Sequence, residues 1–172
     1  MQTPAVGVIL LCLSVLGVST HLVPHDMGVS TVGAVGMLCA AYLPRTYLML
    51  PVLISLAVVD LLHGGYGALA MSFVYLGHVL AAYAARPVLG RVTPARVVAA
   101  ALVSAVVFYL VSNLTTMAMH YYPNTLAGWT ACYLNGLPYL ARGFAANLLF
   151  GALFFSIAYL VRSRYAHRFA AP

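Results

Sequence analysis

The chain has 172 residues, of which 64% are hydrophobic and only 6% charged. Soluble domains carry about a quarter charged residues, so this composition excludes a water-soluble globule and points to a polytopic membrane protein. The net charge of +6 comes entirely from Arg. These Arg are dispersed between apolar runs, as topology signals and contacts to the lipid bilayer rather than as a nucleic-acid surface.

Six apolar segments follow in chain order, approximately 4–23, 28–44, 46–63, 68–85, 97–119 and 143–161. Each is about long enough to cross a hydrocarbon core of ~30 Å, although the second is short. The first has no basic residue before it and no small-x-small cleavage site, so it reads as a retained span rather than a signal peptide. Breaks between segments carry Pro, Gly or charge, as in "LPRT", "HGGYG" and "RPVLGRVTPAR". The expected fold is all-α: a compact bundle of six transmembrane helices forming a single transmembrane domain over residues 1–172. No clear internal repeat is visible, which argues against an inverted-repeat transporter.

With six spans, Arg45, Arg86, Arg91, Arg96, Arg162, Arg164 and Arg168 all fall on one side. The positive-inside rule assigns that side, and both termini, to the cytoplasm. Only Arg142 breaks the pattern. It belongs to the segment 120–142, "HYYPNTLAGWTACYLNGLPYLAR", which is too apolar for a solvated loop yet interrupted by "NGLP". A lid-like or re-entrant outer segment is expected there, because irregular backbone at membrane depth must be buried in protein or line a cavity.

Polar side chains inside a membrane are costly, so their placement carries information. Asp60 lies near the outer end of the third span with His63 at i+3 on the same face. Tyr75 and His78 share a face of the fourth span. Asn113, Thr116 and His120 form one stripe on the fifth. The segment after it adds Trp129, Tyr133, Asn135, Tyr139 and Arg142, and Asn147 follows in the sixth span. These groups gather in the outer half and leave the cytoplasmic half nearly bare. The pattern predicts a cavity open to the outer side, floored near His78 and roofed by 120–142. Aromatic walls with a few fixed polar groups suit a small-molecule substrate, whereas an ion path needs polar groups through the full depth.

Asp60, His63, Tyr75, His78, Asn113, His120, Trp129, Tyr133, Asn135 and Arg142 are therefore the candidate ligand-binding residues. Structural alternatives stand beside them. Asp60 pairing with Arg142 would form a clamp, Tyr66, Tyr121 and Tyr122 would be interfacial anchors, and Thr115 and Thr116 would bond neighbouring helices. The three Cys show no C-x-x-C spacing, and the His show no H-x-x-H spacing. No nucleophile triad, paired carboxylates or phosphate-cradling Gly loop is present. The expectation is a non-enzyme without cofactor or metal.

Residues 109–140 carry Ser112-Asn113, Tyr122-Pro123-Asn124-Thr125, Gly128, Cys132-Tyr133 and Pro138-Tyr139. This pattern, with Asp60 late in the third span, resembles an uncharacterised family of small bacterial membrane proteins. Met117 departs from it, standing where an aromatic residue is expected. That family looks like a distant relative of the S-components of energy-coupling-factor (ECF) vitamin transporters, nearest to the solitary cobalamin-specific type. The resemblance implies a bacterial inner-membrane protein with six helices, cytoplasmic termini and a vitamin-sized site near the outer face. It also implies an ATPase or transmembrane energising partner. The cobalt-ligating Cys expected shortly after the third span is missing from "YGALAMSF", so the cobalamin specificity does not carry over. Gly36 and Ala40 offer a close-packing face for a partner helix. The leading expectation is a membrane-embedded substrate-binding/transport subunit that captures a small organic nutrient from the outer face, with vitamins such as cobalamin among the candidates. The alternative is a structural accessory subunit of a larger membrane complex.

Overall fold

The structure, a computed structural model, describes residues 12–22 and 29–169. Helix α1 covers 12–18 and ends in a 3-10 turn, Ser19–Leu22; α2 is Val32–Tyr42. A second 3-10 turn, Arg45–Tyr47, leads into α3, Leu50–His63. Then come α4, Ala68–Val88, α5, Pro94–Ala118, and α6, Leu126–Phe169. No strand occurs among the described residues. Of the expected first span, residues 4–11 and 23 lie outside them, as does Asp26.

Among the described residues, four helical stretches are long and apolar enough to cross a membrane: Arg45–His63, Ala68–Val88, Pro94–Ala118 and Leu126–Ser163. The protein is thus an all-helical membrane-spanning protein. Helix α2 does not meet that length. Its 11 residues rise about 17 Å, against about 38 Å for the 25 of α5.

Local signals explain the boundaries. Pro51 and Pro94 sit in the first turns of α3 and α5, where a missing N–H costs nothing. Thr93 accepts the Arg96 N–H as an N-cap. At the end of α3, Gly64 adopts a left-handed conformation, φ 84°, and Asp60 O accepts the Gly65 N–H at 2.9 Å. Thr125 Oγ1 accepts the Gly128 N–H at 3.1 Å and starts α6.

The expected irregular segment at 120–142 is instead a short turn followed by regular helix. Residues 126–142 and the expected sixth span form one 44-residue helix, with Pro138 inside it. Pro138 removes one backbone donor without ending the helix, as membrane helices tolerate when neighbours re-satisfy the freed carbonyl. Helix α6 runs antiparallel along α5, with Cys132 beside Thr116 and Asn147 beside Ala101.

The Arg-bearing turns gather at one end. Arg86 donates to Leu43 O at 2.8 Å, and the Arg162 guanidinium lies 5.4 Å over the Tyr42 ring. Between them stands α2, buried from Val32 to Ala40. A helix apolar all round belongs inside a bundle. Its Val35, Met37 and Leu38 pack with Ala82, Ala85, Ala100, Ala101, Phe154 and Phe155. Gly36 meets Ala82 and Val52 of the same chain, so its close-packing face is used internally rather than by a partner helix. A Cβ there would come within 3.2 Å of Ala82 Cβ.

Candidate functional site

Because α2 is so much shorter than its neighbours, the bundle it fills at the Arg end is unfilled above its N-terminus. There the structure holds a cavity of about 670 Å³. Ser30 and Gly33, at the start of α2, face it from one side. Helix α3 contributes Leu56, Val59, Asp60 and His63, and α4 contributes Val74 and His78. The long wall comes from α5 through Ser104, Phe108, Tyr109, Ser112 and Asn113. Helix α6 closes it with Tyr139, Leu140, Gly143 and Asn147, while His21 and Tyr66 enter from connecting turns.

The only described carboxylate sits in this wall. Asp60 is 9% exposed, and Tyr75 donates its hydroxyl proton to Asp60 Oδ2 at 2.6 Å. That distance is typical of a hydroxyl on an ionised carboxylate. Tyr66, in the turn after α3, feels the same charge: partial burial first, then Asp60, raises its phenol above the ordinary value. His63 Nδ1 lies 2.9 Å from Val59 O. A carbonyl only accepts, so Nδ1 carries the proton, and in the neutral ring Nε2 is left as an acceptor. His21 meets Ser30 Oγ at 3.2 Å and the His63 ring edge-on at 6.3 Å.

Deeper in, His78 stacks on Phe108 with centroids 4.2 Å apart. Asn147 donates to Ala101 O at 3.4 Å and turns its Oδ1 toward Gly33. Asn113 Nδ2 donates back to Tyr109 O at 2.8 Å. Among the described residues no group of three or more His, Cys, Asp or Glu is placed to hold a metal ion.

Of the residues singled out from sequence, Asp60, His63, His78 and Asn113 border the cavity, and Tyr75 acts through its bond to Asp60. Tyr66, Tyr139 and Asn147, also noted in the sequence, line it too, whereas the other five ligand-binding candidates lie elsewhere. His120 occupies the exposed α5–α6 turn with φ 58°. Trp129 donates to Asn124 Oδ1, and Asn135 donates to Tyr122. Tyr133 bonds Leu110 O and accepts the Tyr109 hydroxyl on its own carbonyl. These contacts build the α5–α6 corner. Arg142 is exposed, its guanidinium 5.8 Å from the Tyr139 ring centroid. It is not the partner of Asp60; that place belongs to Tyr75. Most of the 109–140 signature is therefore architectural, and only Ser112, Asn113 and Tyr139 of its quoted positions reach the cavity.

Sequence reasoning missed His21, Ser30, Ser104 and Phe108. On α5 a signal existed: Ser104, Phe108 and Ser112 repeat at i, i+4, i+8, one helix face beside the stripe that had been noticed.

Fold and cavity define a class: a helical membrane protein with an internal, partly polar chamber in one half of its bundle. Within that class, the chain belongs to the family described as Family of unknown function (DUF6580), whose model matches residues 2–169. No curated protein and no solved structure matches it.

Proposed function

We propose that this protein is a membrane-embedded substrate-binding subunit that captures a small organic nutrient. The observation carrying the reading is the cavity of about 670 Å³ with one carboxylate, three His, two Asn and three Ser set among apolar and aromatic side chains. Small-molecule sites occupy about 300–1,000 Å³ with this balance of apolar lining and few fixed polar groups. A purely structural accessory subunit would have no use for so large a space. The Arg-bearing turns, by the positive-inside rule, belong at the cytoplasmic face of a bacterial inner membrane, so the cavity opens outward and both termini lie inside.

The resemblance to ECF-type S-components agrees with such a role. The volume favours a nutrient smaller than cobalamin, whose corrin ring and nucleotide tail need more room. Transport would draw energy from a separate ATPase module, because the sequence carries no phosphate-cradling loop. The test is thermal unfolding of the protein in lipid nanodiscs against a panel of vitamins and cofactor-sized organic molecules. A true ligand at a hundred times its Kd adds about 2.7 kcal/mol. No stabilisation by any compound would contradict the reading.

A further inference from the structure

Among the described residues that line the cavity, Asp60 is the only Asp, Glu, Lys or Arg. Asp60 is buried in an apolar helix, and among the described residues its hydrogen-bond partner is the neutral Tyr75. The chain has no Lys, and no Arg is among the described residues that line the cavity. An ionised carboxylate at membrane depth without a counter-cation is costly, and such groups normally pair.

From this we infer that the cavity selects an organic cation bearing an aromatic or heteroaromatic ring, with its positive group seated at Asp60. The inference rests on the ligand-binding reading above and names the class of ligand that site takes. A protonated amine or amidine supplies both the missing charge and N–H donors. Asp60 and the free His63 Nε2 are the acceptors that meet them. The ring lies against Phe108, Tyr109 and Tyr139, whose faces attract a cation further. His78, stacked on Phe108, makes no hydrogen bond within the described protein, so its ring nitrogens are available to a polar atom of the ligand. The N-terminus of α2 reaches the chamber at Gly33. Its partial positive charge suits a neutral electron-rich group at the deep end. A free anion would face Asp60 with no Arg or Lys among the described lining to hold it.

The experiment compares three naphthalene probes of similar size and different charge: 1-naphthylmethylammonium, 1-naphthylmethanol and 1-naphthoate. Binding is measured by calorimetry to the full chain in nanodiscs of zwitterionic phosphatidylcholine, with empty nanodiscs subtracted. The ammonium probe is expected to bind about tenfold or more tightly than the alcohol, the scale of a hydrogen bond to a charged group. The carboxylate is expected to bind worst. In Asp60→Asn the ammonium probe falls to the level of the alcohol. The wild-type comparison stands by itself even where that variant fails to fold. Equal binding of all three, or preference for alcohol or carboxylate, overturns the cation inference while leaving a ligand-binding cavity intact. Absence of binding by every probe overturns the inference, and the vitamin panel then decides the broader reading separately.

Discussion

The two halves of this bundle are built from the same helices but packed differently. At the Arg end, α2 fills the centre, and Ala82, Ala85, Ala100 and Ala101 let the surrounding helices close on Met37 and Leu38. At the other end, above the start of α2, the same α3, α4, α5 and α6 line a cavity, and polar side chains face it. The lesson is that a short buried helix sets where a chamber opens. In lipid, where apolar side chains gain little by leaving the solvent, close packing carries most of the stability. The packed half should therefore hold the fold, and the open half is free to hold a ligand.

The strongest way to break that contrast is a matched truncation. Met37→Ala should lose about 2–5 kcal/mol in equilibrium unfolding from mixed micelles. Phe108→Ala should lose less than about half of that, because its ring already borders empty space. Equal losses would mean that the two halves share the load. At the boundary between them, Gly33→Ala places a Cβ on Asn147 Oδ1. It should destabilise by about 1–3 kcal/mol, read in the same assay.

In the open half, Tyr75→Phe leaves Asp60 without its donor, and a loss of about 1–3 kcal/mol is expected. The smallest effect concerns Thr115, whose buried Oγ1 has no hydrogen-bond partner. Thr115→Val removes that unsatisfied group and should leave stability unchanged or raise it by up to about 1 kcal/mol. A clear loss in its melting curve would show that the hydroxyl has a role in the fold.

Much of this architecture was legible in the sequence, but unevenly. Apolar runs and the Arg between them marked the helices and gathered the basic turns at one end. Asp60, His63 and His78 stood out because polar atoms in a membrane helix need a reason. What misled was "NGLP", which reads as a break by the rules of soluble proteins yet continues as helix in α6. Taking it as irregular sent Trp129, Tyr133 and Asn135 to a roof, whereas their hydrogen bonds hold the α5–α6 corner. Ser104 and Phe108 share a helix face with Ser112 by their spacing, but periodicity alone does not say that this face meets a cavity. Their exposure to the cavity depends on where α2 stops relative to helices far from it in sequence.

The chamber above α2 is proposed here as a ligand site. The most direct measurement is an experimental structure of the protein extracted from its native membrane without added ligand, refined for density inside the bundle. The expected result is a discrete organic molecule in contact with Asp60 and His78. A chamber closed by repacked side chains, or filled by a lipid tail with no contact to Asp60, would contradict it.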